Sequence, residues 1–144
     1  MKSAAPQTVF IVDDNAIDRE MLTAHLEKYQ NLKVQAFSNG EYVIKGLLLE
    51  ELDEPDIILL DYFLDSSTAV SKDGVEVLKK LKGISPNVKV IMLTRVKNER
   101  TIEYAKKHGA LDYVVKSATM GYQQLDTILQ KHFNFKEIKK SIKQ

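Results

Sequence analysis

Acidic side chains follow two of the apolar runs that the sequence predicts to be strands. Asp13 and Asp14 come directly after residues 9–12, and Asp61 comes directly after residues 57–60. Carboxylates that cluster raise each other's pKa unless a cation neutralises them. Oxygen ligands with no histidine or cysteine beside them favour a hard ion such as Mg²⁺. The chain has no cysteine, which excludes disulfides, thiolate metal sites and cysteine nucleophiles.

Two other polar side chains end the later apolar runs. Thr94 follows residues 90–93, and Lys116 follows residues 111–115. Ligands of an open parallel sheet bind beyond the carboxyl ends of its strands, so we expect this hydroxyl and this ammonium group to face the carboxylates. Mg²⁺ often shares its coordination shell with phosphate, and both a lysine and a hydroxyl can donate to phosphoryl oxygens. Together these side chains predict a site for a phosphoryl group.

The segments that position these residues alternate between two patterns of apolar residues, one typical of strands and one typical of helices. Short apolar runs rich in valine and isoleucine indicate strands buried on both faces, which is typical of a parallel sheet. The segments between them have helical spacing, and the first is predicted to bury Ile17, Met21, His25 and Tyr29. The strands predicted from continuous runs are residues 9–12, 57–60, 90–93 and 111–115. A weaker, alternating pattern predicts a further strand at residues 32–37.

Local signals support this alternation. Helix N-caps are predicted at Asn15, Ser38 and Asn98, and helix ends at Gly83 and Gly109. Because crossovers between parallel strands are almost always right-handed, the helices must cover both faces of the sheet. We therefore predict an α/β fold, a doubly wound five-stranded parallel sheet with helices on both faces.

Length and composition limit the class of protein. The 144 residues suit one compact soluble domain, with 44% hydrophobic and 28% charged residues. There are 21 basic and 20 acidic side chains, for a net charge of +1, so no polycation signature for nucleic acid exists. No apolar run approaches the roughly 18 residues that span a bilayer, and the first residues do not form a signal peptide. We expect a cytoplasmic protein.

The chain is predicted to have one main domain and two short ends. Residues 1–7 form an N-terminal lead, residues 8–132 the domain, and residues 133–144 a basic tail. The tail is expected to extend the last helix or to fray, since charged tails are usually solvated. From position 131 onward the only acidic side chain is Glu137, against Lys131, Lys136, Lys139, Lys140 and Lys143.

The motifs resemble those of the receiver domains of two-component response regulators. This resemblance covers residues 8 to about 132 and implies a flavodoxin-like fold with strand order 2-1-3-4-5, like that of the chemotaxis regulator. It rests on Val12-Asp13-Asp14-Asn15, on Asp61 and Thr94 after their strands, and on Asp112-Tyr113-Val114-Val115-Lys116.

The resemblance also implies a chemistry for these residues. Asp61 is the expected phosphoacceptor, and Lys116 is expected to stabilise the phosphorylated form. The only cofactor implied is Mg²⁺. Its expected protein ligands are Asp13, Asp14, Asp61 and the backbone carbonyl of Phe63.

A signalling switch is the function that the resemblance implies. Thr94 is expected to bond the phosphoryl oxygen, and Tyr113 to swing into the space that Thr94 leaves. This movement would change the surface of the fourth helix, fifth strand and fifth helix, which binds an unidentified output protein. The expected donor is a histidine kinase or phosphotransfer protein. We expect a monomer or a phosphorylation-dependent dimer that binds neither nucleic acid nor membrane.

Four features depart from the family's usual pattern, and two of them concern the shape of the site. Asp73-Gly74 arrives later after Asp61 than is usual, so residues 65–72 contain an insertion. We expect this insertion to be solvated, and the alternatives are that it covers the pocket or engages a specific partner. Lys116 is followed by Ser117 instead of proline, and we expect a trans peptide bond there because a cis bond before a non-proline residue is costly.

The other two departures concern access to the site. Arg95 stands after Thr94, where a small residue is usual, and its guanidinium is expected to restrict access or to reach the phosphate. Phe63 and Val96 are both apolar at positions that influence the admission of water. We therefore expect slow autodephosphorylation, and no enzymatic turnover beyond self-phosphorylation and this hydrolysis.

Other classes of protein fit these residues less well. A haloacid-dehalogenase-type phosphatase requires a second aspartate at the position where this chain has Phe63. A dinucleotide-binding enzyme requires a glycine-rich motif after a strand, and no predicted strand is followed by one. A degenerate receiver that acts only as an interaction module remains the main alternative, although all the site residues are present. Because no DNA-binding motif follows residue 132, we expect a regulator that acts alone on its partner.

Overall fold

The described strands of this computed structural model form one parallel sheet in the order β2-β1-β3-β4-β5, which confirms the predicted fold class. The structure describes residues 5–61, 74–95, 97–116 and 122–138. The strands are β1 (Gln7–Val12), β2 (Leu32–Phe37), β3 (Ile57–Asp61), β4 (Lys89–Thr94) and β5 (Ala110–Val115).

Helices cover both faces of this sheet. Alternation along β1 sends Val9 and Ile11 into a core with the first and last helices, and Phe10 and Val12 into a core with the other three. No helix among the described residues is long and apolar enough to cross a membrane. The helices are α1 (Ala16–Leu26), α2 (Gly40–Leu48), α3 (Gly74–Ile84), α4 (Glu99–Lys107) and α5 (Gln123–Phe133).

Asparagine side chains cap three of the helices. Asn15 and Asn98 accept backbone N–H bonds at the starts of α1 and α4, as predicted. The prediction for α2 is wrong by one residue, because Asn39 and not Ser38 accepts the N–H groups of Glu41 and Tyr42. Both residue types make good caps, so the sequence alone does not distinguish these neighbours.

Helix ends are predicted less evenly. Gly109 follows α4 with φ of +106°, a conformation that glycine adopts without strain, and this prediction is confirmed. Gly83 instead lies inside α3, which ends at Ile84.

The buried face of α1 differs from the predicted stripe. Ile17 and Met21 are 66% and 57% exposed, while Leu22 and Leu26 are buried in the core with α5. Tyr29, the last residue of the predicted stripe, is buried as predicted, but apolar side chains occur on both sides of this helix and spacing alone is wrong at Ile17 and Met21. Two apolar side chains near the start of α1 are consequently left at the surface.

Residues 134–138 do not extend α5, contrary to the expectation for the tail. Asn134 adopts a left-handed conformation that ends the helix, and the chain then forms an antiparallel bridge between Glu137 and Tyr29. Backbone bonds from Gln30 to the Lys136 carbonyl and from Ile138 to the Lys28 carbonyl fix this bridge. The pairing is long-range, so local sequence signals do not reveal it. We call residues 134–138 the return segment.

A charged cluster joins the end of α1 to α5. The Asp126 carboxylate accepts from the Lys28 Nζ at 2.7 Å and from the Tyr29 hydroxyl at 2.5 Å, and its other contact is the His25 Nε2 at 2.8 Å. Lys28 also pairs with Glu137 of the return segment at 3.3 Å. We call this group the Asp126 cluster.

Strand order explains where a ligand can bind. From β1 the chain passes to β2 on one side and later to β3 on the other, so the order reverses between β1 and β3. The helices that follow these two strands lie on opposite faces, which leaves a crevice at the carboxyl ends of the strands.

Candidate functional site

Three carboxylates meet at this crevice. Val12 pairs with Leu60, so the residues that follow or end the two strands, Asp13 and Asp61, lie side by side. With Asp14 they form a group in which one oxygen from each side chain lies within 4.8 Å of the others. Asp13 and Asp61 are only 1% and 7% exposed, whereas Asp14 is exposed. The structure thus brings these predicted residues together.

Backbone and side-chain bonds fix Asp13 in place. Its Oδ1 accepts the Asn15 N–H at 2.9 Å, and its backbone N–H donates to the Phe37 carbonyl at 3.0 Å. Arg19 donates to the Asp13 carbonyl oxygen from the first turns of α1 at 2.7 Å. The second carboxylate oxygen of Asp13, Oδ2, faces the crevice and accepts from the Lys116 ammonium group.

The donor set of this cluster fits a hard divalent cation. It consists of carboxylate oxygens, two of them on buried side chains, and neutralising their charge would lower the cost of holding them together. Receiver domains, the family suggested by the motifs, bind Mg²⁺ at an acidic pocket of this kind. The described residues offer no histidine in the group.

Lys116 supplies the cation in this crevice. It follows β5, its side chain is 6% exposed, and its Nζ lies 2.5 Å from Asp13 Oδ2 and 3.9 Å from Asp61 Oδ2. Burial lowers the pKa of Lys116, but the hydrogen bond to Asp13 and the charges of Asp61 and Asp13 outweigh it and raise the pKa above its usual value. Lys116 is therefore a stable ammonium at neutral pH.

Thr94 and Tyr113 lie on the two strands beside this cation. Thr94 ends β4 and is buried, and its carbonyl oxygen accepts the Lys116 N–H at 2.6 Å. Because Leu93 pairs with Asp61, Thr94 stands just beyond the end of β3. Tyr113 is half-buried against the core of the α2, α3 and α4 face, with the Lys106 Nζ 6.0 Å from its ring centre.

Two residues at the crevice differ from the prediction. Asp18 was not predicted to belong to the site, and Arg95 was expected to restrict access or to reach the phosphate. Asp18, in the first turn of α1, accepts from the Lys116 Nζ at 3.1 Å and from Arg95. Arg95 thus turns to a carboxylate of α1, and its side chain is 60% exposed. Burial alone raises the pKa of Asp18, but Lys116 and Arg95 outweigh it and hold the pKa below its usual value.

The signal for Asp18 in the sequence was weak. An acidic residue in the first turn of a helix is usually a favourable partner of the helix dipole and nothing more. Arg95 after Thr94 is the only other unusual charge noted near this site in the sequence, and by itself it does not indicate a carboxylate partner.

Several predictions fall outside the described residues. They concern the backbone carbonyl of Phe63, the insertion at residues 65–72, the side chain of Val96 and the peptide bond to Ser117. The described residues do not test these four expectations, which stay predictions.

Comparison with known proteins places these features in one family. The family model of the response regulator receiver domain matches residues 9–129. The probable C4-dicarboxylate response regulator DctR of Bacillus subtilis (strain 168) is 25% identical over 130 residues, which cover 90% of this chain and 53% of DctR. The chain thus spans about half the length of that curated relative.

Two other similar proteins are closer to this chain in length. Sporulation initiation phosphotransferase F of Bacillus subtilis (strain 168) is 31% identical over 110 residues, covering 76% of this chain and 82% of that protein. The crystal structure of the phosphorylated cyanobacterial phytochrome response regulator RcpA is 26% identical with a TM-score of 0.74. That comparison covers 88% of this chain and 93% of the RcpA chain.

Proposed function

Because the chain belongs to the response regulator receiver domain family, we propose that it is a switch that accepts a phosphoryl group on Asp61. Members of this family are signalling phosphoacceptors that interact with histidine kinases or phosphotransfer proteins. The observation that carries the proposal is a buried carboxylate with an ammonium group 3.9 Å away, Asp61 beside Lys116, inside a group of three carboxylates. The phosphorylated form of RcpA supports it.

The proposed reaction is a nucleophilic substitution at phosphorus. A carboxylate oxygen of Asp61 forms a bond to phosphorus while the bond from phosphorus to the donor atom breaks, and its electron pair stays with the leaving group. Lys116 keeps its protons and contributes a positive charge beside the transferred oxygens. The Thr94 hydroxyl donates a hydrogen bond to one of them.

Magnesium is the proposed cofactor of this reaction. Asp13, Asp14 and Asp61 would hold the ion with the backbone carbonyl of Phe63, because their oxygens suit a hard cation. When bound, Mg²⁺ supplies charge neutralisation between the carboxylates and the incoming phosphoryl group. The side chains of the chain itself provide the nucleophile and the buried ammonium group.

The proposed output passes through Thr94 and Tyr113. When the Thr94 hydroxyl turns to the phosphoryl oxygen, the ring of Tyr113 would move inward from its half-buried position. This movement would change the surface that α4, β5 and α5 present to an output protein in the cytoplasm. A phosphorylation-dependent dimer through the same surface is the other form of output that we propose to test.

The donor protein is proposed to dock on the start of α1. Ile17 and Met21 are exposed there, and Asp18 of the same turns reaches Lys116 in the site. A donor that covers these apolar side chains would therefore lie beside Asp61. In the variant Ile17→Gln/Met21→Gln, we expect phosphotransfer from the cognate kinase to fall about tenfold. Phosphorylation by acetyl phosphate should not change, and neither reaction should change in Leu48→Gln, an exposed apolar residue of α2.

Incubation with acetyl phosphate and Mg²⁺ tests the phosphoacceptor directly. Mass spectrometry should detect one added phosphoryl group in the wild type and none in Asp61→Asn. Asp53→Asn is the matched control, because this exposed aspartate precedes β3 at the opposite edge of the sheet. Its incorporation should equal that of the wild type.

Three other results would contradict the switch. Continuous release of phosphate would indicate a phosphatase, and no incorporation would indicate an interaction module. Incorporation that persists in Asp61→Asn would place the phosphoacceptor elsewhere. We also expect the phosphoryl group to be lost slowly, since Phe63 and Val96 are apolar, and loss within seconds would refute this part of the proposal.

A further inference from the structure

The buried ammonium group of Lys116 is shared by two carboxylates. Its Nζ donates to Asp13 Oδ2 at 2.5 Å and to Asp18 Oδ2 at 3.1 Å, while Asp61 Oδ2 lies at 3.9 Å. An ammonium group has three protons to donate. Two of its hydrogen bonds thus go to residues other than the proposed phosphoacceptor, so Lys116 is held to one side of Asp61.

Asp18 stands between a buried cation and an exposed one. The same oxygen, Oδ2, accepts from Lys116 and from the Arg95 guanidinium. The Lys116 and Asp18 side chains are only 6% and 16% exposed, so their contact is weakly screened by water, whereas the Arg95 side chain is 60% exposed and its contact is screened more strongly. Arg95 belongs to the segment after β4 and Asp18 to α1, so the pair bridges the crevice near Asp61.

A phosphoryl group on Asp61 would compete for the same ammonium group. Lys116 has one proton left for the phosphoryl oxygens, but its Nζ lies 3.9 Å from Asp61 Oδ2, and moving closer would stretch or break one of its two present hydrogen bonds. Asp13 is held by the Asn15 N–H and belongs to the carboxylate group that suits a metal ion. Asp18 is the acceptor that can be released, because Arg95 still neutralises it after Lys116 has turned.

We propose that Asp18 is a positioning residue that holds Lys116 before phosphoryl transfer, and that Arg95 sets how easily Asp18 releases it. This inference rests on the proposed phosphoacceptor function. Without Arg95, Asp18 would depend on Lys116 alone and bind it more tightly. Without Asp18, Lys116 would keep only the hydrogen bond to Asp13 and would be freer to approach Asp61, and Arg95 would have no further influence on it.

The test is a double-mutant cycle on the rate of phosphorylation by acetyl phosphate. Arg95→Gln should react about three- to tenfold more slowly than the wild type, the size of coupling found in contacting charge networks. Asp18→Asn should react at least as fast as the wild type, and adding Arg95→Gln to it should change nothing. Arg95→Lys should retain most of the wild-type rate, because the positive charge remains. Glu20→Gln, an exposed residue of α1, controls for loss of negative charge on the same helix.

A second readout needs neither Mg²⁺ nor a phosphoryl donor. The ¹⁵N NMR signal of the Lys116 ammonium group should shift in Asp18→Asn, because one of its hydrogen-bond acceptors becomes a neutral amide. It should remain in place in Glu20→Gln. Thermal unfolding of each variant shows whether the protein is folded before the rates are compared.

Each alternative result would overturn the inference in a recognisable way. An equal loss of rate from Arg95→Gln in both backgrounds would mean that Arg95 binds the donor itself. An unchanged rate in folded Arg95→Gln, or an unchanged Lys116 signal in Asp18→Asn, would mean that the bridge is only structural. If the wild type incorporates no phosphoryl group, the proposed function fails, while the NMR comparison still reports whether Asp18 holds Lys116.

Discussion

The two ends of α1 carry charged clusters of opposite character. At its start, the four carboxylates outnumber the three cations beside them, which are Lys116, Arg95 and Arg19. The carboxylates of this first cluster are Asp13, Asp14, Asp18 and Asp61.

At the other end of α1, one carboxylate is surrounded by donors. Asp126 is contacted by His25, Lys28 and Tyr29, and Lys28 also pairs with Glu137. Burial raises the pKa of Asp126, but these hydrogen bonds outweigh it and hold the pKa below its usual value. Burial and the bond to Asp126 together raise the pKa of Tyr29, so the hydroxyl keeps its proton.

The difference indicates what each cluster is for. Satisfied charges favour the folded state, whereas buried carboxylates in excess of cations cost stability unless another cation arrives. Functional sites often break such local rules of stability. The close grouping of three carboxylates at the start of α1, which the Asp126 cluster lacks, therefore separates a proposed site from a structural contact, although both use the same residue types.

The largest expected effect is on phosphoryl incorporation. Asp61→Asn should lower it by about a hundredfold or more, because the amide is a poor nucleophile. Asp126→Asn should leave phosphoryl incorporation within about twofold of the wild type if the Asp126 cluster is only structural. Phosphorylation with acetyl phosphate, read by mass spectrometry, compares the two. A large loss in Asp126→Asn would show that the clusters are coupled.

For stability we expect the opposite order, with a larger loss from a substitution in the Asp126 cluster than from one in the carboxylate group at the start of α1. Asp126→Ala leaves the Tyr29 hydroxyl without its Asp126 acceptor and Lys28 with Glu137 alone, and we expect it to lower the free energy of unfolding by about 2 kcal/mol. Asp14→Asn removes a like charge from the carboxylate group and should be neutral or slightly stabilising. Urea unfolding without Mg²⁺ measures both. A strongly destabilised Asp14→Asn would contradict the interpretation of excess charge.

Mg²⁺ should stabilise the protein through the first cluster alone. At a concentration tenfold above its dissociation constant, it should raise the free energy of unfolding by about 1.4 kcal/mol. Asp126→Asn should keep this increase and Asp61→Asn should lose most of it, and a chelator should reverse it. Thermal unfolding with and without Mg²⁺ gives the measurement. An equal increase in all three proteins would mean that the ion binds elsewhere.

The smallest expected effect is the pH dependence of the stability that the Asp126 cluster contributes. The pKa of Asp126 is lower in the folded state than the unfolded value of about 3.9. Its contribution is therefore fully present above that pH and is lost as the pH falls through the folded-state pKa. The stability difference between the wild type and Asp126→Asn should shrink below about pH 4. A difference that stays constant from neutral pH to pH 3 would contradict this.

Much of the fold follows from short-range patterns. Continuous apolar runs predict β1, β3, β4 and β5, and a weaker, alternating pattern predicts β2, which has no fully buried residue. The same logic brings Asp13, Asp61 and Lys116 together, since residues that follow parallel strands meet at one edge of the sheet. Resemblance to the family added the roles, which local patterns do not contain.

The parts that the sequence did not predict depend on tertiary contacts. Met21 and Leu22 are neighbours of similar hydrophobicity, and only packing against α5 decides which is buried. The pairing of Glu137 with Tyr29 joins residues distant in the chain and has no local signal. Asp18 resembles an ordinary helix-start residue until Lys116 and Arg95 are seen around it.

Both ends of α1 are tied to other elements, and this has a consequence for amide hydrogen exchange. Opening of this helix must break contacts to β5 at one end and to α5 and the return segment at the other. Its amides should therefore exchange in the same cooperative unit as the central strands. Substitutions at the exposed Ile17 and Met21 should then leave the helix in place, so the proposed contact with a donor could change without loss of the fold.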